Sequence, residues 1–263
     1  MIAIGAWSDL LPRLGTAIIL LGLAAVALLM GGIGFKCLIL IAVVLIHWEL
    51  GQMLNPMSQQ SGYFAASFSL GSFLLTLTAG SLAWALIWMF LGAAIQPLFF
   101  YVHKRIGFVV SLAVFVTGFV LVSLRDIAGI GIVCWLLALV IMTDLGGYFG
   151  GRVIGGPKLV PRFSPNKTWS GAVIGWAFAV GLSLLVAEMV LQGLSLTSII
   201  GLTIVLSMMS QVGDICESAL KRACNVKDSS HLLPGHGGFM DRFDGTVGAT
   251  LAFGALSPFL VGV

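Results

Sequence analysis

The sequence predicts an all-α, polytopic integral membrane protein of about nine transmembrane helices. Three observations carry that fold class. Of 263 residues, 59% are hydrophobic and only 9% charged, with a mean hydropathy of +1.10. A soluble domain carries about 25% charged residues, so most of this surface does not face water. The apolar residues also gather into uncharged runs that approach the roughly 20 residues needed to cross a bilayer as a helix. Finally, the few charges are concentrated: of 23, five lie in residues 144–167 and nine in residues 214–244.

Taken in order, the run at 16–30 lacks a clear basic n-region and an obvious small-x-small cleavage site, and so reads as a first span rather than a signal peptide. The next is 38–54, interrupted by His47 and Glu49, followed by 64–80, 82–102, 106–124 and 127–143. Runs at 171–187, 194–212 and 247–263 complete the nine. His47, His103 and His231 are expected to pack or to face the membrane interface; Glu49 and Glu188 are expected to find partners between helices or near a helix end. Cys37, Cys134, Cys216 and Cys224 form no CxxC pair and lie in or beside apolar runs. They read as buried packing residues and imply neither zinc nor a disulfide. A net charge of +3 is too small to suggest nucleic acid.

The bases orient the chain. With the 146–168 loop on the cytoplasmic side, alternation through nine spans puts the N-terminus inside and the C-terminus outside. Arg13, Lys104, Arg105, Arg152, Lys158, Arg162, Lys167, Lys221, Arg222, Lys227 and Arg242 then lie inside, against Lys36 and Arg125 outside. That asymmetry follows the positive-inside rule, and the opposite orientation violates it. Residues 1–143 read as an apolar scaffold and 144–263 as the region with chemistry, within one membrane body.

The first charged window begins DLGGYFGGRVIGGPKLVPRFSPNKTWSG. Asp144 and Tyr148, four apart, share a helix face. The glycines, prolines and bases that follow read as a loop. Ser164-Pro165 reads as a helix start, serine at N-cap and proline at N1, with Lys167 and Thr168 in the first turn. Free N–H groups and a lysine at such a start suit phosphate; a capped helix with a snorkelling lysine is the plainer reading. In the second window Asp214, Glu217 and Lys221 fall on one helical stripe beside the membrane, where an unpaired carboxylate is costly. Asp241 and Asp244 are three apart, with Arg242 between them, and His236-Gly237-Gly238 offers backbone that a ligand can approach closely. Carboxylates without a His/Cys set point to a hard cation such as Mg²⁺, and interleaved bases point to a phosphorylated ligand. The chain has no GxxxxGK[ST] P-loop, and Asp244-Gly245 does not continue as DGxxAR. The first absence excludes a Walker-type NTPase; the second argues against an alcohol phosphatidyltransferase.

Ser218-Ala-Leu-Lys221-Arg222, Lys227-Asp228, Leu233-Pro234-Gly-His236-Gly237-Gly238-Phe239 and Asp241-Arg242-Phe-Asp244 together resemble the signature of the phosphatidate cytidylyltransferases (CDP-diacylglycerol synthases). Upstream, Asp144, Tyr148, Arg152, Ser164, Pro165, Lys167, Thr168 and Gly171 resemble two further segments of that family, with Leu145, Gly147 and Ser170 departing from it. The resemblance covers about 144–245. It implies transfer of a cytidylyl group from CTP to phosphatidate, releasing pyrophosphate, in phospholipid biosynthesis at the cytoplasmic (inner) membrane. It also implies a need for Mg²⁺. A second cation and a homodimer stay open. Asp214 and Asp241 are then expected as metal ligands, with Glu217, Asp244 and Asp144 as further candidates. Lys167, Lys221, Arg222, Lys227 and Arg242 would hold triphosphate or lipid phosphate; Asp214, Asp241, Lys221, Arg222 and Lys167 form the expected catalytic set. Ser164, Asn166, Thr168, Asp228, His236, Gly237 and Gly238 are expected at bound substrate. A lipid phosphate monoester is largely ionised at neutral pH, so the chemistry needs charge neutralisation and alignment rather than a general base. Two other readings remain: a CTP-dependent polyprenol-type lipid kinase, and a transporter, which would spread its acids along the spans.

Overall fold

An apolar run in lipid has no water to satisfy its backbone N–H and C=O groups, so it closes them on itself as a helix. The computed structural model describes residues 22–233 and 237–257. After a helical stretch at 22–30 come α1 (Gly32–Leu54), α2 (Gln60–Leu77), α3 (Leu82–Ile95), α4 (Lys104–Ile127), α5 (Ile130–Val153), α6 (Trp169–Val190), α7 (Leu196–Ala223) and α8 (Met240–Leu256). Two short antiparallel strands, β1 (Lys158–Val160) and β2 (Ser164–Thr168), connect α5 to α6. The protein is a helical integral membrane protein: α1, α4, α5, α6 and α7 are each long and apolar enough to cross a membrane. Fewer helices than the expected nine reach that standard among the described residues. The expected span at 82–102 ends early, because α3 has 14 residues and gives way to a 3₁₀ turn at Gln96–Leu98, which contains Pro97. At 1.5 Å per residue it is ~21 Å long. Arg13, His236 and the outer ends of the first and last expected spans (16–21 and 258–263) lie outside the described residues.

The chain divides into two units. One comprises the described residues up to Val122 together with Cys224–Asp241. Here α1 packs on α2 and α2 on α3, around Phe35, Leu50, Leu54, Phe73, Met89 and Phe115. A Cβ on Gly51 would lie 2.9 Å from the Gly62 Cα, so α1 and α2 meet backbone to backbone. His47 is fully buried, donates from Nδ1 to the Val43 carbonyl (2.8 Å) and packs on Phe115, as expected of a packing histidine.

The other unit comprises Ser123–Ala223 and the residues from Arg242 on. α6 packs against both α5 and α7, most extensively against α5. The glycine-rich stretch 146–151, expected as loop, is helix: α5 continues to Val153. A Cβ on Gly146 would sit 2.9 Å from the Gly175 Cα, and one on Gly171 2.6 Å from the Gly147 carbonyl. These glycines bring two membrane helices into close contact, as small residues do where burial in lipid supplies no driving force between helices.

Ser164-Pro165 does not start a helix either. Both belong to β2, which pairs Ser164 with Val160 and Thr168 with Lys158, and α6 begins at Trp169. The N-cap is Thr168, whose hydroxyl accepts from the Gly171 N–H (3.2 Å). Strand pairing competed with the Ser-Pro start signal and won.

Polarity in this unit is inverted relative to a soluble protein. Thr143, Ser183, Thr203 and Ser207 are at most 1% exposed, whereas Leu185 and Met189 are 83% and 80% exposed. Thr143 and Ser207 share a hydrogen bond (2.7 Å), and Trp135 Nε1 donates to Ser183 (2.9 Å). Lipid tails accept the outward apolar faces, and interhelical hydrogen bonds use the inward hydroxyls of Thr143, Ser183 and Ser207. The same inversion explains why Cys37, Cys134 and Cys216 are exposed rather than buried.

Candidate active site

Charges at membrane-helix ends must find partners, and in the second unit they find one another. Lys167, the last residue before the α6 N-cap, forms an ion pair with Asp214 on α7. The two charged windows of the sequence therefore meet. Asp214 also accepts a hydrogen bond from Ser218 one turn on (3.3 Å), and Glu217, 5% exposed, pairs with Lys221 at 3.0 Å. Asp144 on α5 lies within electrostatic reach of Asp214, Asp244 and Lys167. On α8, Asp244 accepts from the Gly245 N–H (2.7 Å) and hydrogen-bonds with Glu217. Burial first, and then the Asp214 charge, push Asp244 above the ordinary carboxylate range, while those hydrogen bonds and the Lys221 charge pull it back. Four acids against two lysines make a site where negative charge is unusually dense.

Beside this cluster is a cavity of about 550 Å³, within the usual range for small-molecule sites. Asp144, Tyr148 and Arg152, one turn apart on α5, line one wall. Asn166, Lys167 and Thr168 line another, with Asp214 and Gln211 on α7. The Arg152 guanidinium donates to the Tyr148 hydroxyl and lies over its ring. Gln211 was not singled out in the sequence. It accepts from Trp176 Nε1 (3.0 Å) while turning an edge to the cavity; its place three residues before Asp214, on one helical face, was the available signal.

Not every expected residue joins this cavity. Ser164 is half-buried at the start of β2, and Arg222 and Arg242 are exposed, on the last turn of α7 and the first of α8. Lys227, Asp228, Gly237, Gly238 and Asp241 belong to the first unit. There the Asp241 carboxylate accepts from the backbone N–H groups of Gly238 (2.8 Å) and Ser229 (3.1 Å). Glu49, expected to find a partner between helices or near a helix end, does so: near the end of α1 it accepts hydrogen bonds from this same segment.

A divalent cation can be tested against these donors. Among the described residues no three His, Cys, Asp or Glu side chains converge closely enough to cage an ion. Mg²⁺ rarely needs a cage: it takes one or two carboxylates and completes its shell with water and substrate phosphates. The mutually repelling Asp144, Asp214 and Asp244 carboxylates fit that mode, since a dication relieves their repulsion.

These features define a class: a helical integral membrane protein with an acid-and-lysine cavity at the ends of its helices. Within that class the chain belongs to the cytidylyltransferase family, whose model matches residues 11–259. It is 50% identical over 135 residues to the phosphatidate cytidylyltransferase of Brucella suis biovar 1 (strain 1330), covering 49% of this chain and 48% of that one. Over 133 residues it is 40% identical to the enzyme of that name from Helicobacter pylori (strain J99), covering 51% and 47%. Over 151 residues it is 37% identical to that from Bacillus subtilis (strain 168), covering 55% of each. The chain spans about half the length of the curated relatives it matches.

Proposed function

We propose that the protein is a phosphatidate cytidylyltransferase, joining CTP to phosphatidate to give CDP-diacylglycerol and pyrophosphate. The observation that carries this reading is the Lys167–Asp214 ion pair on the wall of a nucleotide-sized cavity, with Asp144 in reach and apolar helix faces around it. Family membership and the names of the relatives support it.

The lipid phosphate oxygen attacks the α-phosphorus of CTP, the bond to the β-phosphate oxygen breaks, and pyrophosphate carries away the electron pair. Lys167, Lys221 and Arg152 neutralise the two polyanions so that they can approach. Asp214, with Asp144 or Asp244, would hold Mg²⁺, which supplies charge neutralisation on the phosphates. Thr168 and Asn166 orient the triphosphate, with Arg222 and Arg242 drawing in anionic substrate; Lys227, Asp228 and the His236-Gly237-Gly238 loop are assigned to the nucleotide by the family resemblance alone. Asp241 serves by fixing that loop through its two backbone contacts. The topology that goes with this has nine spans, the site loops and N-terminus in the cytoplasm and the C-terminus outside, in the cytoplasmic membrane, with a homodimer as the assembly to test.

The decisive experiment incubates purified protein with Mg²⁺, phosphatidate and CTP labelled at the α-phosphate. Label is expected in a lipid, with one pyrophosphate per turnover. Release of labelled CDP with label-free lipid would instead establish a lipid kinase and overturn the proposal.

A further inference from the structure

Glu49 lies near the end of α1, is fully buried, and accepts four hydrogen bonds, all from one segment some 180 residues away in the chain. Its Oε1 accepts from the Phe239 N–H (2.7 Å) and the Ser230 hydroxyl (2.5 Å). Its Oε2 accepts from the Met240 N–H (2.7 Å) and the Ser229 hydroxyl (3.0 Å). The two backbone donors are among those that the start of α8 leaves without an intrahelical acceptor, and the carboxylate meets the positive end of that helix.

The same segment is held a second time. Asp241 takes the N–H groups of Ser229 and Gly238, so residues 229–230 are stapled to 238–241 by two carboxylates, one through side chains and helix start, one through backbone. Leu233 N–H donates to the Gly237 carbonyl (3.0 Å) inside the closed loop. The staple leaves no space at Gly238, where a Cβ would collide with the Ser229 hydroxyl and lie 2.8 Å from Glu49 Oε1. Burying a carboxylate to hold a chain segment is justified only when every lone pair is used and the geometry matters. An apolar residue would fill the space without fixing the register of two strands of chain.

We propose that Glu49 is a positioning residue for nucleotide binding: it locks the 229–240 segment so that the Gly237-Gly238 loop is preformed for CTP. This rests on the reading of that loop as part of the nucleotide site. Glu49 touches no substrate; it acts through Ser229, Ser230 and the first N–H groups of α8. Its removal therefore raises the KM for CTP selectively, because loop ordering must then be supplied by the ligand.

The test uses the full-length protein in detergent and two variants. Glu49→Gln keeps the volume but makes an NH₂ group face one of the two backbone N–H donors. Ser229→Ala with Ser230→Ala keeps the carboxylate and both backbone contacts but removes two of the four bonds. Hydrogen–deuterium exchange at 229–240 is expected to accelerate about tenfold or more in the glutamine variant, with α1–α7 still protected. The KM for CTP is expected to rise about tenfold or more, and the KM for phosphatidate to move by less than about twofold. The double serine variant is expected to show the same pattern at smaller size, and it carries the test if the glutamine variant does not fold. Unchanged exchange at 229–240 overturns the staple. Accelerated exchange with an unchanged CTP KM, or with both KM values raised equally, overturns the role in nucleotide binding. If the wild-type protein forms no CDP-lipid, the proposed reaction fails, while direct CTP binding by the wild type and these variants still decides the role of Glu49.

Discussion

Lys167 separates a membrane anchor from a substrate ligand. A snorkelling lysine would tolerate methionine, which keeps the apolar stem and removes the charge. Lys167 instead engages Asp214 in the cavity wall, so Lys167→Met leaves a part-buried acid without its counter-ion and, on the proposed reading, the phosphate without a donor. Loss of a charge-assisted contact costs about 1.5–3 kcal/mol, so kcat/KM is expected to fall by about one to two decades. Steady-state kinetics with CTP and phosphatidate varied separately provide the check. Asp244 gives the opposite kind of prediction, in stability. Its carboxyl is raised in the folded protein, chiefly by burial. Its favourable contribution is therefore fully present below the unfolded pKa and is lost as pH rises through the folded value. Asp244→Asn removes that loss. In metal-free detergent the variant is expected to melt higher than wild type at pH 7, with the difference shrinking toward pH 4, while turnover with Mg²⁺ falls. A variant that melts lower than wild type at pH 7 would mean that ionised Asp244 stabilises the fold.

Among the elements, α5 and α6 show what a sequence conveys about a membrane helix and what it hides. Their apolar centres were legible because composition and run length determine them. Their ends were not. Gly146, Gly147, Gly150 and Gly151 carry the statistical mark of a loop, and only the partner element shows that the missing side chains of Gly146, Gly150 and Gly151 make room for Gly175, Ile174 and Thr168. At Ser164-Pro165 the local capping signal lost to pairing with Lys158–Val160, which no local rule reports. The meeting of the two charged windows was legible, because two spans between them return the chain to the same side. The Glu49 contacts were not, since nothing near Glu49 in sequence mentions Ser229. A matched pair of substitutions tests the packing. Gly146→Ala places a methyl 2.9 Å from the Gly175 Cα and is expected to destabilise by about 1–3 kcal/mol. Gly181→Ala, also in a helix interior but with nothing within 4 Å, is expected to be neutral or to stabilise by up to about 1 kcal/mol. Thermal melts of the two variants decide; equal effects would remove the close α5–α6 contact as the cause.

Over the whole molecule, the distribution of bases predicts which way the chain sits in its membrane. Lys158 is exposed on β1 beside the cavity-lining strand. A cysteine there is a better probe than one at Ser229, which is 8% exposed and bonded to Glu49. In a background without Cys37, Cys134, Cys216 and Cys224, Lys158→Cys is expected to react with a membrane-impermeant thiol reagent in inverted vesicles and not in intact cells. Labelling of intact cells would put the cavity on the side where CTP is absent.

The distance along the chain between Glu49 and its donors bears on biogenesis. Synthesis delivers α1 to the membrane long before Ser229, Ser230, Phe239 and Met240 exist. Until then a helix apolar enough to cross a bilayer carries an acid that nothing in the last part of the chain has yet reached, and an uncompensated acid in a membrane helix is costly. A ribosome that stalls before residue 229 leaves behind an inserted fragment with that acid still uncompensated. The carboxylate that closes the finished protein is, in the unfinished one, a mark of incompleteness.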